Sequence, residues 1–341
     1  MFKIIIAGCG MVSDMWFNAI LNREDTQIVG IVARTEKSAK AKKEQFNLTA
    51  ANTYTHISDA LKNEKADIVV DLTPPELHYE TVTLSLRAGC HVFGEKPMSN
   101  TLETAEEMVK CSDETGKEYF LMQNRRYLPH LYALKNFLQD KNLGQIGQIS
   151  ANFQLNPHFG GFRDEMDSPL IADMAIHTFD AARFISGKNP VSVYCSEFNP
   201  VWSWYKGDAN AICIFTMEDG SVFDYRGSWC ANGINTSWES EWRIACENGC
   251  AFWDGAKKLY FEEVDKLVVK TGLADEESDV VLKDITPLEM ETQGHAACIT
   301  EMFEALITGK RPQTDCRDNI NSIRMVYKAL ESSKENQLVK F

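Results

Sequence analysis

The first 123 residues alternate between two hydrophobic rhythms. Short, nearly continuous apolar runs recur at 2–7, 28–33, 67–72, 91–93 and 119–122. Runs of this kind mark strands buried on both faces. Between them, residues 14–22, 36–46, 57–63, 76–88 and 101–115 carry helical patterns. Gly89 and Gly116 stand just ahead of strands, where C-cap glycines close helices. Strand and helix in alternation predict an α/β domain, a parallel sheet with helices on both faces.

From residue 124 the rhythm changes. A helix is expected over 128–139, a strand over 148–155, a loop over 156–169 and a helix over 170–186. Alternating runs follow at 191–198, 210–217, 221–229, 240–247, 250–254 and 258–263. They predict an antiparallel or mixed sheet with one face open to solvent or a partner. The acidic, weakly patterned stretch 271–286 reads as a loop or irregular strand, and helices near 287–308 and 316–333 close the chain. At 341 residues the chain exceeds one ordinary core. The division expected is a dinucleotide-binding domain over 1–123 and an α+β substrate and oligomerisation domain over 124–341. The closing helices are free to pack back on the first domain. The open sheet makes a homo-oligomer, a dimer or tetramer, the expected state.

Composition narrows the function. Apolar residues make up 44% and charged residues 25%, as in ordinary globular proteins. A net charge of −14 without a basic run argues against nucleic acid and anionic membrane surfaces as partners. No apolar stretch approaches the ~20 residues of a membrane span, and the N-terminal run lacks a cleavage-site pattern. The ten cysteines are scattered without a C-x-x-C pair, and Cys246 and Cys250 match a zinc clip poorly. Reduced, buried thiols in a cytoplasmic protein without a metal are the expectation.

The opening strand runs into Gly8-Cys9-Gly10-Met11-Val12-Ser13 and then a helix. This is a dinucleotide fingerprint with Ser13 in place of its third glycine. The first glycine permits a tight turn, and the second lets backbone amides approach a pyrophosphate at the helix N-terminus. Ser13 is small enough to keep the helix close to the sheet. An acid usually ends the second strand of an NAD-binding domain, on the ribose hydroxyls; here Ala33 and Arg34 stand there. Arginine pairs bidentately with a 2′-phosphate, so NADP is favoured over NAD. The alternative is that Arg34 only stacks on adenine. Thr73-Pro74-Pro75 stiffens a loop at the carboxyl end of the sheet, where such folds bind ligands. Thr73 and Pro74 are candidate cofactor contacts. His78 is either another or a surface or capping residue.

Glu95-Lys96-Pro97 follows a short strand late in this domain, which puts a titratable cation where a nicotinamide would lie. Asp173 and His177, four apart on a predicted helix, share one face, with Asp180 three further on. Near-neutral histidine suits the role of general base for a hydroxyl proton. Asp173 would orient the substrate or its protons, and Lys96 would hydrogen-bond the same oxygen. The positive charge of an oxidised nicotinamide would push the lysine pKa down. The plainer alternative is a helix ion pair and a packed histidine.

The chain resembles the glucose–fructose oxidoreductase / inositol dehydrogenase / MocA-like (Gfo/Idh/MocA) oxidoreductases along essentially its whole length. The likeness rests on the glycine turn, Thr73-Pro74 with His78, Glu95-Lys96-Pro97, Asn124-Arg125-Arg126-Tyr127, Phe162-Arg163 and Asp173-x-x-x-His177. It implies a Rossmann domain followed by an α/β domain with a large open sheet. The implied activity is NAD(P)-dependent oxidation of a sugar, cyclitol or glycoside hydroxyl, or the reverse reduction. It also implies that Glu95, Asn124 and Arg163 serve the cofactor with Gly8, Gly10, Met11 and Val12, and that Arg125 and Tyr127 face the substrate. For the two arginines the alternative is salt bridging between domains. Two departures stand out: Ser168-Pro169-Leu170-Ile171-Ala172 replaces a run of glycines, and Phe162 replaces a tryptophan. Among Trp202, Trp204, Tyr205, Trp229, Trp238 and Trp242, clustered within about forty residues, Trp202, Trp204 and Tyr205 lie on a predicted loop and are candidates for a sugar platform. Two rival activities stay open: a redox-neutral glycoside-cleaving enzyme of the same fold, and a non-catalytic dinucleotide or sugar sensor.

Overall fold

The computed structural model describes residues 1–140, 142–264 and 281–341. The chain forms two compact units, Met1–Asn124 with Gly294–Ile323, and Arg125–Gln293 with Arg324–Phe341. A single division at 123/124 does not contain this arrangement, because a late segment of the chain belongs to the first unit.

In the first unit, β1 (Phe2–Ala7), α1 (Ser13–Leu21), β2 (Thr26–Val32), α2 (Glu36–Gln45), β3 (Asn52–Tyr54) and α3 (Ile57–Asn63) come first. Then follow β4 (Ile68–Asp71), α4 (Pro75–Arg87), β5 (His91–Gly94), α5 (Leu102–Thr115) and β6 (Tyr119–Leu121). The six strands pair in the order β3-β2-β1-β4-β5-β6. Every pairing is parallel, which is the doubly wound Rossmann order. Ile4–Ile6 and Ile68–Val70 are fully buried, because helices cover both faces. Proline at the first turn of α4 costs no hydrogen bond there, and Thr35 and Thr101 cap α2 and α5 with their hydroxyls.

The second unit begins with α6 (Pro129–Gln139), β7 (Ile146–Gln154), α7 (Ile176–Ser186), β8 (Pro190–Phe198) and β9 (Asn210–Met217). It continues with β10 (Val222–Ser228), β11 (Glu241–Cys246), β12 (Gly249–Trp253), β13 (Leu259–Glu263) and β14 (Leu282–Asp284). After α8 (Gly294–Thr308) and α9 (Cys316–Glu335), β15 (Val339–Lys340) completes a nine-stranded sheet, β14-β13-β12-β11-β7-β10-β9-β8-β15. It is mixed: β7 and β10 pair in parallel, the other neighbours antiparallel. One face is buried by residues such as Phe153, Phe215, Phe223 and Trp242. The other carries exposed Tyr194, Phe198, Ile212 and Ile214.

Three local expectations change. The helix expected from residue 287 begins only at Gly294, after Pro287 and a polar stretch. The expected helix 170–186 is two pieces, a π-helical turn over Leu170–Ala175 that runs into α7. Most of the stretch 271–286 lies outside the described residues; its end, Leu282–Asp284, is strand β14, paired with β13.

Candidate active site

In the first unit, the functional side chains gather at the carboxyl edge of the parallel sheet. Gly8 ends β1 at φ +109°, and a side chain there would run into the Leu72 carbonyl. Only glycine suits this position. Its amide donates to the Val32 carbonyl (2.8 Å), which ties the turn to β2. Gly10 faces open space, and Met11 is 98% exposed. Ser13 is buried and donates its hydroxyl to the Gly10 carbonyl (2.6 Å). It therefore braces the turn as well as sparing room. The N-cap residue Val12 makes no side-chain cap, and the Ser13 amide donates to the Gly10 carbonyl (3.1 Å). The open space at Gly10, where the chain enters α1, fits a pyrophosphate. Ala33 is buried at the end of β2, and Arg34 is exposed beside it.

The loop after β4 is held by side chains. Asp71 Oδ1 accepts from the Thr73 hydroxyl (2.6 Å) and amide (3.1 Å). Burial pushes the Asp71 carboxyl up from its ordinary value, while His78 and the Thr73 hydrogen bonds pull it back. His78 is only 1% exposed. Its ring nitrogens lie 2.7 Å from the Thr73 carbonyl oxygen and 3.0 Å from that of Pro97. It is thus neither a surface nor a capping residue, and it acts on the Thr73-Pro74 loop through backbone. After β5, Glu95 Oε1 accepts from the Trp16 indole (2.8 Å), and Oε2 from the Lys96 amide (3.3 Å). Burial raises the Glu95 pKa, and the Trp16 bond and the Lys96 charge oppose that rise. Lys96 itself is half-buried. Asn124 lies 3.4 Å from a ring nitrogen of His295 on α8.

In the second unit, Arg163 Nε donates to Asp173 Oδ2 (2.7 Å), and its guanidinium lies over the rings of Phe159 and Phe162. The residue read as a cofactor contact is therefore a partner of the candidate acid. Asp173 sits in the π-helical turn and half-buried His177 in the first turn of α7. Short π-helical insertions occur often at functional sites. Asp180 takes another role, in a bidentate ion pair with Arg126 (2.8 and 2.6 Å) and with Arg183 at 3.8 Å. Arg125 pairs with Glu239 (2.9 Å); burial lowers the arginine's pKa and raises the glutamate's. Each arginine thus has a carboxylate partner within its own unit. Tyr127 is buried.

The aromatic loop divides. Tyr205 is buried, with its hydroxyl on the Pro157 carbonyl (2.9 Å), so it is no part of an open platform. Trp204 is half-buried and stacks on His158 at 3.6 Å. Trp202 is exposed, as are Trp238, Phe159 and Phe162, whereas Trp229 and Trp242 belong to the core. Sequence reasoning missed Asp71, Glu239 and His158. Asp71 directly precedes Leu72-Thr73 and could have been found as an Asx-turn residue. The other two left no local signal.

Among the described residues, no group of three or more His, Cys, Asp and Glu side chains could hold a metal ion. No helix of the described residues is long and apolar enough to cross a membrane.

Residues 2–123 match the family model described as "Oxidoreductase family, NAD-binding Rossmann fold". Residues 131–252 match the GFO/IDH/MocA C-terminal domain. The chain is 25% identical to an uncharacterized protein, y4oX, of Sinorhizobium fredii, over 99% of this chain and 95% of that one. It is 29% identical to the D-glucoside 3-dehydrogenase of Escherichia coli, over 54% of each. An oxidoreductase from Agrobacterium radiobacter, solved with NAD+, L-tartaric acid and magnesium, shares the fold at a TM-score of 0.84 and 19% identity. That match covers 99% of this chain and 98% of that one.

Proposed function

Because the chain belongs to the Gfo/Idh/MocA family of NAD-binding oxidoreductases, we propose that it transfers hydride between a nicotinamide and a ring hydroxyl or ketone of a sugar, cyclitol or glycoside. One observation carries this reading. Lys96 follows β5 at the same carboxyl edge of the parallel sheet as the Gly8–Ser13 turn after β1. A proton-handling cation thus stands on the ligand edge of a dinucleotide-binding sheet. The similarity to a D-glucoside 3-dehydrogenase supports the substrate class.

A nicotinamide cofactor held along Gly8–Ser13 would supply the hydride acceptor for oxidation and the donor for reduction. The protein's part is the proton. His177 takes it from the reacting hydroxyl, and Lys96 hydrogen-bonds the oxygen as charge develops there. Asp173, held by Arg163, orients the substrate. Gly10, Met11, Val12, Thr73 and Pro74 lie along the cofactor, and exposed Trp202 offers a ring face to the substrate. Arg34, with no acid beside it at the end of β2, favours the 2′-phosphate of NADP. Exposed Ile212, Ile214 and Tyr194 on the outer sheet face fit a homo-oligomer; a monomeric mass by light scattering would count against it. Ten free cysteines, seven of them buried, suit a reducing, cytoplasmic setting.

The test is reduced-nicotinamide absorbance with NAD and NADP over inositols, aldoses and glycosides, with wild type beside Lys96→Ala. Turnover that falls by about 10²–10⁴-fold in the variant is the expected result. Equal turnover in both would remove Lys96 from the chemistry. Silence across the panel with cofactor tightly held would replace net oxidation by a redox-neutral reaction. Arg34→Asp, in the same assay, should lose affinity for NADP selectively.

A further inference from the structure

His78 offers two ring nitrogens to two groups that can only accept. Nε2 lies 2.7 Å from the carbonyl oxygen of Thr73, and Nδ1 lies 3.0 Å from that of Pro97. A neutral imidazole has one N–H and one lone pair. In either neutral tautomer, one nitrogen lone pair would face a carbonyl oxygen at hydrogen-bond distance, with no proton between them. The ring is only 1% exposed, so water cannot relieve that repulsion. Both contacts are satisfied together only by the imidazolium form.

A buried cation requires a counter-charge, and two carboxyls are lowered by the His78 charge against the rise that burial imposes on them. They are Asp71 at the end of β4 and Glu95 after β5. Asp71 Oδ2 is buried with no hydrogen-bond partner among the described residues, and its other oxygen is taken by Thr73. Glu95 accepts from Trp16 and from the Lys96 amide. The remaining charge beside it is Lys96, one residue before Pro97.

We propose that His78 is a charged clamp that positions Lys96: as an imidazolium it ties the Thr73 loop after β4 to the Lys96-Pro97 segment after β5. The inference rests on the dehydrogenase reading only for what Lys96 does. The clamp itself stands on hydrogen-bond chemistry. With the second bond lost, the Thr73 loop and the lysine segment would no longer share one anchor.

The experiment is nitrogen NMR of the full-length protein labelled in its seven histidines, at neutral pH and without substrate. The two ring nitrogens of an imidazolium have nearly equal shifts, whereas those of a neutral ring differ widely. His78→Gln assigns the signal by its disappearance. Should that variant not fold, single Gln variants at the other six histidines assign it by elimination. Nearly equal nitrogens at His78 are expected, and a widely split pair would overturn the clamp. In the assay, His78→Gln keeps one donor and one acceptor, as a neutral ring does. Its kcat should fall by roughly ten- to a hundredfold. An unchanged kcat would overturn the positioning role. The spectrum does not depend on turnover, so a silent substrate panel beside an imidazolium signal would reject the dehydrogenase reading and support the clamp.

Discussion

The two units assemble their functional residues by different means. In the first, the Gly8 turn and the Lys96 segment are held through backbone carbonyls, with the Gly8 amide on Val32 and the His78 ring on Thr73 and Pro97. A parallel sheet then brings strand ends from distant parts of the chain to one edge. In the second, buried arginines pair with carboxylates across long separations. Arg126 reaches Asp180, and Arg125 reaches Glu239. The first unit therefore depends on backbone geometry, and the second on charges that must find one another inside a folded core. Backbone strain is confined to its turn, whereas an unpaired buried charge is felt by the whole unit.

Removing Asp180 should break the second unit hardest. Its carboxylate lies between Arg126 and Arg183, and all three side chains are buried. Arg183 keeps a bond to Asn189 (2.9 Å), but Arg126 loses its bidentate partner. Asp180→Ala should lower stability by about 3–5 kcal/mol, the usual result of stranding one member of a buried pair. The urea midpoint reads the effect. A shift near zero would mean that the Arg126 charge is solvated in another way.

A smaller loss is expected in the first unit. Gly8→Ala places a side chain at φ +109° against the Leu72 carbonyl. The strain should cost about 1–3 kcal/mol, with cofactor affinity falling further than stability because the turn itself must move. Cofactor titration beside thermal unfolding separates the two. Unchanged affinity in a destabilised variant would dissociate the turn from cofactor binding.

The same contrast explains what could be read from the sequence. Strands β1, β4 and β5 were legible because burial on both faces leaves continuous apolar runs. Gly8-x-Gly10 and Glu95-Lys96-Pro97 were legible because each is a short contiguous motif. β3 was not, since Asn52-Thr53-Tyr54 shows no apolar alternation and pairs only along the sheet edge beside β2. β15, two residues long, is defined only by its partner β8. The π-helical turn escaped because its extra residue leaves the i, i+4 pattern of Asp173 and His177 intact. Nothing in Phe162-Arg163 shows that Asp173 will accept a hydrogen bond from the guanidinium. The tryptophans over 202–242 were visible as a cluster, but all except Trp242 lie outside strands, so no periodicity shows which of them are buried.

Glu197 offers the mildest and most discriminating probe of the second unit. It lies near the end of β8, where Oε2 accepts from the Ser168 hydroxyl (3.2 Å), and Ser168 leads into the turn that carries Asp173. Oε1 is buried and has no hydrogen-bond partner among the described residues. Burial, aided by nearby Asp208, pushes its pKa from 4.5 up to about 7, against hydrogen bonds from Ser168 and Ser333 that pull it down. The folded protein thus holds a proton that the unfolded chain has already lost. By linkage, this contribution to stability is full below about 4.5 and is lost as pH rises towards about 7. Glu197→Gln keeps the shape and removes the titration. Urea midpoints should therefore coincide for the two proteins at the acidic end, if the amide keeps the bond from Ser168, and diverge towards neutral pH, with the variant the more stable. Parallel curves across that window would mean that the carboxylate is solvated. The Ser168 contact would then have no part in setting the pH response of the segment that holds Asp173.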